Sequence, residues 1–169
     1  MKTLLFALSA CVLASPALTA DPTIPNRLID YAAFQKIVDS SGPQREKQRL
    51  TEDAFLAAMN APGVVLLDAR SAAMYKLRHI KGAVNLPFTD FNATSLAAVL
   101  PAKDSRVLIY CNNNFLNAPV SMVSKSAPAS LNLSTYTSLK AYGYDNINEL
   151  GPLLDVNKTK IPFEGTEVK

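Results

Sequence analysis

Histidine and cysteine are scarce in this sequence: His79 is the only histidine, and Cys11 and Cys111 are the only cysteines. That scarcity excludes the common metal centres. A blue-copper site needs two histidines, and a zinc site needs more ligands than one Cys and one His. No haem-attachment motif is present, so neither a metal nor another cofactor is expected. Charge of one sign is scarce as well, with 17 basic against 14 acidic residues and a formal net charge of +3. So small an excess gives no support for binding to nucleic acid or to a membrane surface. The basic residues Arg45, Lys47 and Arg49 are interrupted by Glu46 and two glutamines, and they read as a solvated linker or helix face. There is no internal repeat and no low-complexity tract. The composition, 49% hydrophobic and 18% charged over 169 residues, is that of one ordinary globular domain.

The start of the chain, MKTLLFALSACVLASPALTA, has the layout of a secretory signal peptide. Lys2 supplies the positive charge, Leu4 to Leu13 are mostly apolar, and small residues gather at Ala14, Ala17 and Ala20. The run is too short for a stable membrane span. Cleavage is expected after Ala20, with Ala17 as the next choice, and a periplasmic or secreted location follows. Leu8-Ser9-Ala10-Cys11 also looks like a lipoprotein box, although Cys11 would leave a very short apolar stretch before it. Cleavage removes one lysine and no acid, lowering the net charge from +3 to +2. It also removes Cys11, so the mature chain keeps only Cys111 and cannot form an internal disulfide.

Hydrophobic periodicity then predicts a short helix carrying Leu28, Tyr31, Phe34 and Val38, broken at Ser40-Ser41-Gly42-Pro43. A second helix opens at Thr51, a candidate N-cap followed by two acids, and presents Phe55, Leu56 and Met59 on one face. Val64 to Leu67 and Val107 to Tyr110 are continuous apolar runs of the kind buried on both faces of a parallel sheet. Shorter strands are expected at Ala83 to Pro87 and Asn146 to Leu150, the latter as the last strand, and helical turns at Ala72 to Leu77, Leu96 to Leu100 and Tyr136 to Tyr142. This alternation argues for an α/β fold with a mainly parallel central sheet flanked by helices.

Ligands of such folds sit at the carboxyl ends of the strands, where Asp68 and Cys111 both fall. A cysteine directly after a buried strand, followed by a polar loop, can be surrounded by inward-pointing backbone N–H groups that stabilise a thiolate. Asn112, Asn113 and Asn114 tolerate left-handed backbone and add side-chain donors, which favours a functional thiol over a small buried hydrophobe.

Three stretches and a fourth, later one resemble the rhodanese family. They are Val65-Leu66-Leu67-Asp68-Ala69-Arg70, then His79-Ile80-Lys81-Gly82-Ala83-Val84-Asn85-Leu86-Pro87, then Val107 to Cys111, and finally Tyr142-Gly143-Tyr144-Asp145-Asn146-Ile147. The second stretch is the most specific. The resemblance implies a rhodanese-type sheet and Cys111 as the residue that accepts a sulfane sulfur and carries it as a persulfide. The backbone amides of Asn112, Asn113, Asn114, Phe115, Leu116 and Asn117 would then hold the anion. A small sulfur-containing anion or low-molecular-weight thiol is the implied partner, with a protein as a further candidate sulfur acceptor. The sequence is divided into a signal peptide at 1–20, an N-terminal extension at 21–49, the rhodanese-like domain at 50–155 and a tail at 156–169.

The loop departs from the family pattern. No cation lies in it, and Asn117 stands where the dual-specificity phosphatases sharing this fold place an arginine. A phosphate dianion needs that bidentate charge, so phosphatase or arsenate-reducing activity ranks below sulfur transfer. A non-catalytic interaction module on the same fold is the main alternative. Asp68 and Arg70 read either as a buried ion pair tying strand to loop, which we prefer, or as positive potential at the pocket. His79 reads as a hydrogen-bonded structural residue in preference to a general base.

Overall fold

The computed structural model describes residues 25–168. The expected signal peptide, its cleavage positions and Cys11 lie outside the described residues. The chain divides after Asp30. Of the first unit only residues 25–30 are described, a turn in which the Leu28 amide donates to Asn26 Oδ1 at 3.0 Å.

The second unit begins with helix α1, Tyr31–Lys47, which continues through Gly42 and Pro43 where the sequence predicts a break. Its C-terminal half is tied down by tertiary contacts: Lys140 donates to Gln44 at 3.1 Å, and Arg45 reaches Glu149. Such contacts override the local penalty of proline within a helix. Strand β1, Arg49–Leu50, follows, and then helix α2, Glu52–Met59. Thr51 caps α2 as its sequence suggests, accepting from the Ala54 amide at 3.3 Å.

The central sheet is built from β1, β2 (Val64–Asp68), β4 (Val84–Asn85), β5 (Arg106–Tyr110) and β7 (Ile147–Leu150). Its order is β1-β7-β5-β2-β4, with every neighbouring pair parallel. Parallel pairing demands crossovers, and these are supplied by α2, α3 (Ala72–Leu77), α4 (Ala93–Val99) and α5 (Leu131–Ala141). Because side chains alternate across a strand, the continuous apolar runs feed two cores. Leu66, Leu108 and Tyr110 pack with Phe55 of α2 on one face. Leu67, Val107 and Ile109 pack with Leu96 of α4 and with Tyr136 and Leu139 of α5 on the other. Helix α5 ends at the left-handed Gly143, whose φ of 82° suits glycine.

Beyond Leu150, where the sequence suggests no further strand, the chain adds two. Strand β8, Leu154–Asp155, pairs in parallel with β6, Phe115–Leu116. Strand β9, Phe163–Glu164, pairs antiparallel with β3, His79–Ile80. Ile161 between them is buried in the first core. Two-residue strands carry too little periodicity to be seen in a sequence.

The parallel register brings the carboxyl ends of β2, β5 and β7 to one edge, with Asp68 level with Tyr110 and Ile109 level with Glu149. Cys111 leaves β5 at that edge.

Candidate active site

Cys111 is 1% exposed and stands at the head of a 3₁₀ turn, Asn112–Asn114. Its Sγ lies 3.5 Å from Ser130 Oγ, at the entry to α5. The three asparagines bind their surroundings and leave few donors over. Asn112 donates to the Val123 carbonyl. Asn113 makes a paired contact with Lys125, accepting from its amide and donating to its carbonyl, both at 2.9 Å. Asn114 accepts from the Cys111 amide at 2.9 Å and donates to the Leu150 carbonyl at 2.7 Å, linking the ends of β5 and β7.

Two backbone amides of the loop are engaged too. The Asn114 N–H bonds the Cys111 carbonyl at 3.1 Å, and the Phe115 N–H bonds the Asn112 carbonyl. Phe115 and Leu116 then enter β6. Asn117 adopts a left-handed φ of 63°, as asparagine can. Its side chain helps the Asn157 amide hold the Asp155 carboxyl below its ordinary value. The loop is therefore a set of internal ties, and the amides of Asn114 and Phe115 do not converge on an anion as the sequence reading expects.

Positive charge at the thiol comes from elsewhere. Cys111, Asn113 and Asn114 line a cavity of about 230 Å³ together with Arg45, Arg49, Ser130, Asn132 and Glu149. Arg45 binds Glu149 through two nitrogens, and Arg49 approaches the same carboxylate at 3.4 Å. Both arginines also pair with Glu46. Burial pushes the Glu149 carboxyl above its ordinary value, outweighing the opposing pull of Arg45 and Arg49. Asn132 is 5% exposed; it donates to Asn114 Oδ1 at 3.2 Å, and its own Oδ1 has no partner among the described residues.

Sequence reasoning placed Arg45 and Arg49 on a solvated face and missed Ser130, Asn132 and Glu149. A signal existed. An acid inside the buried run Ile147–Leu150 demands a partner, and two arginines four positions apart were available to supply it.

Asp68 and Arg70 form the buried ion pair. Arg70 Nε and Nη2 grip the carboxylate at 2.9 and 2.5 Å, and the remaining guanidinium hydrogens go to the carbonyls of Ser121 and Arg78 and to Met122 Sδ. Burial pulls the Arg70 pKa down, but the Asp68 hydrogen bond and charge more than restore it. Tyr110 donates to Asp68 at 2.5 Å; its burial and that carboxylate drive its own pKa far up. Arg70 also lines a second cavity of about 310 Å³ with Asn112, Phe88 and Lys125. His79 stacks on Tyr75 with ring centroids 3.7 Å apart, and its Nδ1 lies 2.8 Å from the Tyr75 carbonyl. His79, Asp68, Phe115, Leu116 and Asn117 line neither cavity. Among the described residues, no group of three or more His, Cys, Asp or Glu is placed to hold a metal ion, and no helix is long and apolar enough to cross a membrane.

The family model of the rhodanese-like domain matches residues 51–150, from the N-cap of α2 to the end of β7. The chain belongs to the rhodanese-like domain family. No curated protein matches it. The solution structure of the rhodanese-like domain of Alr3790 from Anabaena sp. is similar, at 20% identity over 71% of this chain and 80% of that one, with a TM-score of 0.49. BH2092 from Bacillus halodurans is similar at 16% identity over 79% and 88%, with a TM-score of 0.49. A rhodanese with anions from E. coli is similar at 19% identity over 60% and 98%, with a TM-score of 0.38. The stretch matched by the family model holds β2, β4, β5 and β7 of the parallel sheet, and α1 and β1 precede it.

Proposed function

We propose that this rhodanese-like protein carries sulfane sulfur as a persulfide on Cys111, in the periplasm or outside the cell. One observation carries the reading: Cys111 leaves β5 at the carboxyl edge of the sheet and opens onto a small cavity that it shares with Arg45 and Arg49. The thiolate attacks the outer sulfur of a donor. The donor's S–S bond breaks, the inner sulfur leaves with the bonding pair, and the outer sulfur stays on Cys111. A thiophilic acceptor, such as cyanide, a small thiol or a partner protein, then removes it. No metal or cofactor enters this scheme. Incubating the protein with polysulfide and cyanide tests it. Thiocyanate should form catalytically with wild type and not with Cys111→Ser, while equal yields from both would refute the reading. N-terminal sequencing of protein recovered from cells tests the location, with Asp21 expected first and a retained Met1 contrary.

A second reading rests on its own observation. Cys111 is almost fully buried, and the loop amides of Asn114 and Phe115 are bonded internally. Those features suit an interaction module in which the thiol is weak or regulatory, and the same experiment separates the two readings.

A further inference from the structure

The side-chain donors that line the Cys111 cavity are nearly all engaged elsewhere. Arg45 binds Glu149 and Glu46, and Arg49 binds Glu46 and the Gly151 carbonyl and lies near Glu149. Asn113 and Asn114 donate to the surrounding backbone, and the Asn132 amide nitrogen serves Asn114. Glu46 stands outside the cavity, and Lys125, ahead of α5, lines the other one. Ser130 differs from all of these. It precedes α5 with φ −57° and ψ 131°, in the position where a serine ordinarily caps a helix, yet its side chain makes no cap bond. The Leu133 amide bonds the Ser130 carbonyl instead, at 3.1 Å. The hydroxyl is therefore left free of the helix, and its partner among the described residues is Cys111 Sγ, at 3.5 Å. A helix start that forgoes its side-chain cap gives up stability, and here the hydroxyl withheld from α5 meets the thiol of the site.

We infer that Ser130 is a catalytic residue of sulfur transfer, its hydroxyl donating a hydrogen bond to Cys111 Sγ at the stages where that sulfur carries the negative charge. The inference rests on Cys111 acting as a sulfur carrier. Sγ is charged twice in the cycle. Before loading it is the nucleophile: it bonds the outer sulfur of the donor, the donor's S–S bond breaks, and the inner sulfur leaves with the electron pair. In the persulfide Sγ is neutral, and the charge sits on the outer sulfur. At discharge, cyanide or a thiolate bonds that outer sulfur, the bond between it and Sγ breaks, and the electron pair returns to Sγ. Ser130 keeps its proton throughout, so the cycle needs no outside oxidant or reductant. The hydrogen bond thus favours the ionised nucleophile at the start and a better leaving group at the end.

The test uses the full mature chain with Ser130→Ala and with the pair Ser130→Thr and Ser130→Val, which match in shape while only threonine keeps a hydroxyl. Two reactions are followed by intact mass: alkylation of Cys111 by iodoacetamide from neutral to alkaline pH, and removal of sulfur by cyanide after loading with polysulfide. At neutral pH, Ser130→Ala and Ser130→Val should alkylate about tenfold more slowly than wild type, the effect of one hydrogen bond to a charged group. That deficit should close at alkaline pH, where the thiol is ionised in every variant. Removal of sulfur by cyanide should also be slower in both, and Ser130→Thr should stay near wild type in both reactions. Because the hydroxyl caps nothing, Ser130→Ala should unfold at the wild-type midpoint, and the Thr and Val pair keeps the test decisive if it does not. Equal behaviour of Ser130→Thr and Ser130→Val overturns the inference, as does a deficit that persists at alkaline pH, since either result marks a packing role. Wild type that loads sulfur while all three variants match it overturns the role of Ser130 and leaves the carrier reading standing. No adduct on wild type from polysulfide overturns both.

Discussion

Arg45 on α1 holds Glu149 on β7 across 104 positions of sequence, Nε to Oε2 at 3.0 Å and Nη2 to Oε1 at 2.5 Å. The contact fastens a helix lying outside the family's matched stretch to the sheet edge where Cys111 emerges. It is thus both a structural tie and one wall of the site. Arg45→Ala should lower stability by about 1.5–3 kcal/mol, the usual worth of hydrogen bonds to a charged group. Urea unfolding measures this. An unchanged midpoint would mean that α1 does not hold the edge.

Glu149 also sets a pH dependence. Its carboxyl is pushed above the ordinary 4.5 by burial, so the folded protein binds that proton more tightly than the unfolded chain. This group's contribution to stability is therefore greatest below the ordinary carboxylate value. It declines as pH rises from there through the raised folded value, and is level above it. The stability difference between wild type and Glu149→Gln should fall with rising pH across that window. A difference that grows with pH would contradict the assignment.

The Asp68–Arg70 pair belongs to the scaffold. Removing one partner of a buried pair strands the other, at about 3–5 kcal/mol. Arg70→Met should approach that loss, and Arg70→Lys should recover little, because a lysine cannot span Asp68 and the Ser121 and Arg78 carbonyls together. Full thermal stability in Arg70→Lys would show that the fork geometry does not matter.

Gly165 follows β9 with a φ of 130°, and a Cβ there would lie 2.3 Å from the Leu77 carbonyl oxygen. Gly165→Ala should displace β9 from β3 and cost about 1–3 kcal/mol through backbone strain. Hydrogen exchange at Lys81, whose amide donates to the Pro162 carbonyl beside β9 at 2.9 Å, reads the effect locally. Unaltered protection there would show that β9 is not held through this contact.

Much of the fold was legible in the sequence, and the reason is visible in particular residues. Val64 to Leu67 and Val107 to Tyr110 are apolar on both faces because both faces are buried, and the Thr51 cap is a local device. What stayed hidden depends on distant partners. Helix α1 passes through Gly42-Pro43 only because Arg45 and Gln44 are held from β7 and α5. Strands β8 and β9 exist through pairing with β6 and β3. At the site, the position of Cys111 after β5 was readable from its place behind an apolar run. The arginines were not, since they arrive from before the domain and are oriented by an acid a hundred positions away. The ties made by Asn113 and Asn114 were not readable either: polar side chains that bond the surrounding backbone look, in sequence, the same as donors left free for a ligand.

The central claim is that Cys111 is a sulfur carrier, and its intact mass after exposure to polysulfide tests this most directly. Wild type should gain one sulfur, roughly 32 Da, and lose it to cyanide. Cys111→Ser should show no gain. A wild-type protein that takes up no sulfur from any sulfane donor would contradict the account and leave the interaction module in its place.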